Sequence, residues 1–196
     1  MVKQERAMRT RNVLVRAAAL QFARNGYEGT SLVQIKQEAG LSMGALTFHF
    51  KTKAELADTV EARGKFVVEC ALERVTEVSA PWLDLLTELT VELSRLLEKN
   101  VFVQSTARLG RERPGSPDWS TFWLPEIRRL AELAHEGGEL LSPAAPGDVT
   151  ALARLLVAGA ETRIRDDGPA ASSEAITEEL TRVWRLVRPR ISDPDQ

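Results

Sequence analysis

One cysteine, Cys70, and two histidines, His49 and His135, are all that 196 residues offer of the side chains that most readily ligate metals. A lone thiol can neither close an internal disulfide nor build a cysteine metal site, and this fits a reducing compartment. So few histidines also argue against a histidine metal centre or a Ser-His pair. No Gly-rich loop ending in Gly-Lys-Ser/Thr is present to cradle a phosphate. No apolar run approaches the ~20 residues needed to span a bilayer, and the N-terminus is too polar for a secretory leader. The expectation is a cytoplasmic protein with no metal, no cofactor and no catalytic residue.

What is present is an ordinary globular balance, 43% hydrophobic and 28% charged, which excludes wholesale disorder and collagen-like repetition. The length suits one domain or two small ones. The formal charge of −2 hides a division: residues 1–65 hold 11 Lys+Arg against 6 Asp+Glu, and residues 66–196 hold 15 against 22, so +5 against −7. A compact basic segment suits a polyanion, because phosphate neutralisation and counterion release supply much of nucleic-acid affinity. A solvated helix face would carry the same charges.

Apolar residues recur at helical spacing along nearly the whole chain and the alternating runs of strands are missing, so the fold class is all-α. A first helix over about residues 10–24 buries Leu14, Ala17, Ala18 and Phe22 and ends at Asn25-Gly26. Ser31 and Gln34 form a capping box for a short helix that turns Leu32, Ile35 and Ala39 inward. Gly40 permits a sharp turn, Ser42 caps a third and shorter helix, and Thr52 with Glu55 opens a long fourth one running through Val75. Pro81 suits the first turn of a Leu-rich helix reaching Leu97. Asp118 is placed to cap one helix carrying Trp119, Phe122, Trp123, Ile127, Leu130 and Leu133, with Pro125 near its start. Two more helices carry Val149 to Ile164 and Ile176 to Val187, the last stopped by Pro189.

The two short helices around Ala39-Gly40-Leu41-Ser42 have the spacing of a helix-turn-helix, in which the second helix stands at a steep angle and can enter a major groove. Ser42 and Thr47 stand where a helix N-terminus and short hydroxyls meet phosphate. A tight αα connection inside a bundle has the same spacing; the basic N-terminal segment tips the balance toward DNA.

The residues Arg9-Thr10-Arg11, Ala17-Ala18-Ala19, Phe22, Gly26-Tyr27-Glu28-Gly29-Thr30-Ser31-Leu32, Ile35, Ala39-Gly40-Leu41-Ser42 and Gly44-Ala45-Leu46-Thr47-Phe48-His49-Phe50-Lys51-Thr52-Lys53-Ala54-Glu55-Leu56 closely resemble the DNA-binding domain of TetR-type repressors, over roughly the first third of the chain. The Gly-Ala-Leu-x-Phe-His-Phe form, with a later Trp-bearing helix, is most similar to the γ-butyrolactone receptors of actinobacteria. The resemblance implies a helix-turn-helix DNA-binding domain with a basic arm over residues 1–52 and a helical ligand-binding and dimerisation domain over residues 53–196. It implies a homodimer on a palindromic operator, released by a small hydrophobic γ-butyrolactone, butenolide or furan, and no enzyme.

By the same resemblance Ser42, Gly44, Thr47, Phe48 and His49 lie in or beside the recognition helix. Ser31 belongs with this DNA-facing set, Lys53 opens the next helix against a phosphate, and Lys3, Arg6, Arg9 and Arg11 extend the contact from the N-terminal arm. Two positions depart from the family. Met43 replaces a usual polar residue and cannot donate to guanine, though it can pack on a thymine methyl; Thr47 replaces a usual Tyr and loses its reach. His49 serves equally as an orienting residue of the small head, and at least one of Phe48 and Phe50 belongs to the core.

In the second half Trp123 matches the Trp that packs on the lactone in the receptor branch, and Thr162 matches a position that offers the ligand a hydrogen bond. Gln104, Trp119, Leu86 and Leu89 complete the candidate pocket. Trp119 and Phe122 fit plain core as well, and the Thr162 hydroxyl fits a bond to its own helix backbone. Ala153, Leu156, Ala160, Leu180, Val183, Trp184 and Val187 lie on the last two helices, which resemble the dimer-forming pair of the family. Three other readings stay open: a TetR-type sensor of an antibiotic or drug, a constitutive DNA-binding protein with a closed core around Trp123, and a small helical enzyme using Asp/Glu chemistry.

Overall fold

A computed structural model describes residues 2–167 and 173–192. The regular elements among them are helical: α1 (Val2–Asn25), α2 (Leu32–Ala39), α3 (Met43–His49), α4 (Lys53–Thr76), α5 (Trp82–Lys99), α6 (Val101–Glu112), a 3₁₀ turn (Trp119–Phe122), α7 (Leu124–Glu136), α8 (Pro146–Asp167) and α9 (Ser173–Ile191). The Lys3 side chain lies outside the described part. Among the described residues no helix is long and apolar enough to cross a membrane.

Two compact units divide the chain, one combining residues up to Val67 with Val101–Trp119, the other combining Val68–Asn100 with residues from Ser120 on. The first is larger than the 1–52 segment expected from the sequence, because α6 returns to pack on α1. Its core joins Leu14, Ala18 and Phe22 of α1 to Ile35, Leu46, Phe50 and Leu56, the larger side chains each worth about 1.5–3 kcal/mol when fully covered. Gly26, at φ 72°, ends α1 in the left-handed conformation that a residue with a side chain adopts only at a cost. The Arg108 guanidinium then donates to the carbonyls of Ala23 and Arg24 at 3.0 and 2.8 Å, and the Glu112 carboxylate accepts from the Tyr27 N–H at 3.2 Å. Through these contacts α6 satisfies the carbonyl end of α1, which the sequence assigns to glycine alone.

In the second unit α5 packs against α7, α8 and α9, and Leu86, Leu89, Leu93 and Leu97 are covered. Pro81, the N-cap of α5, offers no side-chain acceptor; the Glu139 carboxylate supplies one, accepting from the N–H groups of Trp82 and Leu83, both at 2.9 Å.

Four element expectations change. The first helix starts at Val2 rather than near residue 10, so the expected basic arm is part of α1. Asn100, in extended conformation, separates α5 from α6, whose apolar pattern continues that of α5 and gives no separate signal. Trp119, Phe122 and Trp123 do not share one α-helix. Trp119–Phe122 is a 3₁₀ turn and α7 begins at Leu124, since the Pro125 ring would clash with the Thr121 carbonyl in a continuous helix. Pro189 does not stop α9, which runs on to Ile191; a proline in the last turn removes only one backbone bond there.

Candidate functional site

The α2–turn–α3 segment is fixed by its own caps. Ser31 Oγ accepts from the Gln34 N–H at 3.2 Å and Gln34 Oε1 accepts from the Ser31 N–H at 2.7 Å, completing the capping box. Gly40 takes φ 64°, and the N–H groups of Gly40 and Leu41 close the carbonyl end of α2 on Gln37 and Lys36 at 3.1 and 3.0 Å. Ser42 Oγ then accepts from the Ala45 N–H at 3.1 Å and starts α3.

The rotation of α3 follows from two anchors one turn apart. Leu46 is fully buried and Phe50, just past the helix end, is 2% exposed. Phe48, about 200° around the helix from Leu46, therefore points outward and is 80% exposed. Gly44 and Thr47 share that outward side. The Thr47 hydroxyl donates to the Met43 carbonyl at 3.0 Å, and the His49 ring meets Phe48 edge to face at 5.1 Å and 85°. Met43 is half-buried and packs on the core of its own unit, so its side chain is not the outward apolar group expected from the sequence. The helix phase set by Leu46 and Phe50 turns it inward.

The basic residues around this helix divide. Arg9 is exposed, 3.6 Å from Glu5 one turn away. Arg11 is an exposed residue whose guanidinium lies over the Phe50 ring at 5.1 Å. Lys53 is turned inward: its ammonium donates to the Tyr27 carbonyl at 2.8 Å and sits 4.2 Å from the Tyr27 ring centroid. Tyr27 also receives Arg113 over its ring at 5.4 Å, and Arg113 reaches Asp58 at 2.6 Å and Glu61 at 3.2 Å. Burial disfavours the Arg113 charge, but the Asp58 hydrogen bond and the charges of Glu61 and Asp58 outweigh it and raise its pKa. Tyr27, Lys53 and Arg113 are too far apart in sequence for this cluster to be read there.

The expected effector residues fall in different units. Gln104 and Trp119 belong to the first; Leu86, Leu89, Trp123 and Thr162 belong to the second. Leu86 and Leu89 are fully buried and Trp123 is 2% exposed, all in packed core. Thr162 is exposed rather than turned toward that core, because the buried phase of α8 runs through Val149, Ala153, Val157 and Ala160. The same phase places Ala153 and Ala160, with Leu180 and Trp184 of α9, inside their own unit rather than on a surface for a partner. Leu156, Val183 and Val187 are half-buried. Among the described residues, the large apolar side chains that α8 and α9 do present are Leu155, 65% exposed, and Leu186, 77% exposed. A cleft of about 330 Å³ opens between α7 and α8 beside Leu124, Arg128, Thr150 and Arg154. Glu132 and His135 stand at Glu-x-x-His spacing on α7; no group of three or more side chains able to hold a metal occurs among the described residues.

Residues 14–60 match the family described as bacterial regulatory proteins, tetR family. The chain is similar to the A-factor receptor protein of Streptomyces griseus, with 29% identity over 197 residues that cover 99% of this chain and 68% of that protein. Among solved structures it is similar to full-length TylP, a TetR regulator from Streptomyces fradiae, at 30% identity and TM-score 0.62, covering 95% of this chain and 88% of that one. A γ-butyrolactone receptor described as ArpA-like is similar at 25% identity and TM-score 0.75, covering 97% and 91%.

Proposed function

Because the chain belongs to the TetR family of bacterial regulatory proteins, in the branch of the γ-butyrolactone receptors, we propose that it is a ligand-responsive transcriptional repressor. Two copies hold a palindromic operator through their α3 helices and release it when a small hydrophobic molecule binds. The observation that carries this is the outward face of α3, where Gly44, Thr47 and Phe48 stand free of the core that Leu46 and Phe50 enter. The net charge of +5 over residues 1–65 supports a phosphate backbone as partner. Residues 1–52 make the DNA contacts in this reading, and residues 53–196 carry effector binding and pairing. The exposed Leu155 and Leu186 support pairing through α8 and α9.

An effector of γ-butyrolactone, butenolide or furan type suits the second unit. Its core holds Trp123, Leu86 and Leu89, and the indole N–H of buried Trp184 has no acceptor among the described residues. A ligand with an apolar body and a carbonyl or ring oxygen answers both, since a buried donor without a partner is costly. The cleft beside Leu124, the residue after Trp123, is the approach this reading assigns.

The test is to select duplexes bound by the full chain from random DNA and then to challenge the complex with lactones, butenolides and furans. A palindromic consensus released by one of these compounds is expected. Failure to select any duplex contradicts DNA binding; a complex that withstands these compounds but yields to an antibiotic replaces the effector class, and one that yields to none makes the protein a constitutive DNA binder.

A further inference from the structure

Resting on the reading of α3 as the recognition helix, we infer that Phe48 reads a thymine through its 5-methyl group, so that binding requires an A·T pair at one fixed place in each half-site. The seven residues of α3, Met43 to His49, include no Lys, Arg, Asn or Gln. The bidentate contacts by which such side chains read guanine or adenine are therefore not available from this helix. Met43 packs inward on the core of its unit. The Thr47 hydroxyl spends its proton on the Met43 carbonyl, 3.0 Å away, and keeps only acceptor capacity.

What remains on the outward side is a bare backbone and a ring. Beyond its chain neighbours and its own helix backbone, a Cβ built at Gly44 would find Ser42 Oγ at 3.9 Å and nothing nearer, so this stretch of helix can come close to another surface. One turn on, Phe48 is the most exposed large hydrophobic side chain among the described residues, at 80%. The edge-to-face contact with His49, 5.1 Å between centroids, gives its ring a defined neighbour on the protein side. Major-groove edges carry one strongly apolar feature, the thymine 5-methyl group, and an outward ring on a helix without Lys, Arg, Asn or Gln matches it.

The experiment uses the full chain and the duplex it selects from random DNA. Each thymine of the half-site is replaced in turn by deoxyuridine, which removes the methyl group and nothing else. At one thymine the replacement is expected to weaken binding about fourfold per half-site, the effect of uncovering one methyl group. Phe48→Ala should weaken binding to the thymine duplex and erase the difference between thymine and uracil there, while Phe48→Leu should keep part of it. Since Phe48 lies outside the core, both variants should melt with the parent. A half-site without thymine, a parent indifferent to every uracil replacement, or an unchanged uracil effect in Phe48→Ala would each overturn the inference while leaving the repressor reading standing. A chain that selects no duplex would overturn both.

Discussion

Ser42 carries two burdens with one hydroxyl in the proposed reading: it caps α3, and it stands exposed at the tip proposed to meet DNA. Ser42→Ala should cost about 1 kcal/mol of stability in thermal or urea unfolding, the usual loss of a cap, and should weaken operator binding without changing effector affinity. Trp123 carries the complementary prediction. Trp123→Phe keeps an aromatic side chain in a packed site; operator affinity measured by anisotropy should stay within about twofold of the parent, while effector-driven release is lost. Release equal to the parent's would remove Trp123 from the effector site. Identity and spacing made Ser31, Ser42 and Gly40 legible, because each acts on backbone within four residues. The directions of Met43, Thr162 and Trp184 were not legible, since they depend on helix phase. Leu46 and Phe50 set that phase for α3, and Ala153, Val157 and Ala160 set it for α8.

At the scale of elements, local rules located α2, α3 and the start of α4 with their caps, and the C-terminal end of α1, but not its start, which lies at Val2 rather than near residue 10. They failed where proline or tertiary contacts decide. Pro125 displaces the start of α7, and α6 is defined by what it clamps rather than by an amphipathic break of its own. That clamp is testable. Arg108 gives two charge-assisted hydrogen bonds to the end of α1, and its loss leaves those carbonyls to solvent. Arg108→Ala should destabilise the protein by about 1–3 kcal/mol in urea unfolding and should weaken operator binding, because α1 carries part of the core on which α2 and α3 rest. A variant with parent stability would show that Gly26 alone suffices to end the helix.

At the scale of the whole molecule, charge and apolar surface are divided along the chain. The positive sum lies in residues 1–65, and the large exposed leucines of the last two helices are Leu155 and Leu186. Leu186→Glu should shift the protein toward monomer in sedimentation equilibrium and should weaken binding to a palindrome far more than binding to a single half-site; an unchanged mass would exclude α9 from the interface. Repression with release also requires linkage: an effector that lowers operator affinity by some factor must itself bind the operator complex more weakly by that same factor. α4 is a single helix whose residues fall in both units, those up to Val67 in the first and those from Val68 in the second.

The most direct test of the account is the affinity of the full chain for its selected palindromic duplex across salt concentrations. We predict that log affinity falls linearly with log salt, with a slope reporting several released counterions, and that a palindrome outbinds its scrambled counterpart at every salt. Equal affinity for palindrome and scramble, or no measurable binding at low ionic strength, would contradict it.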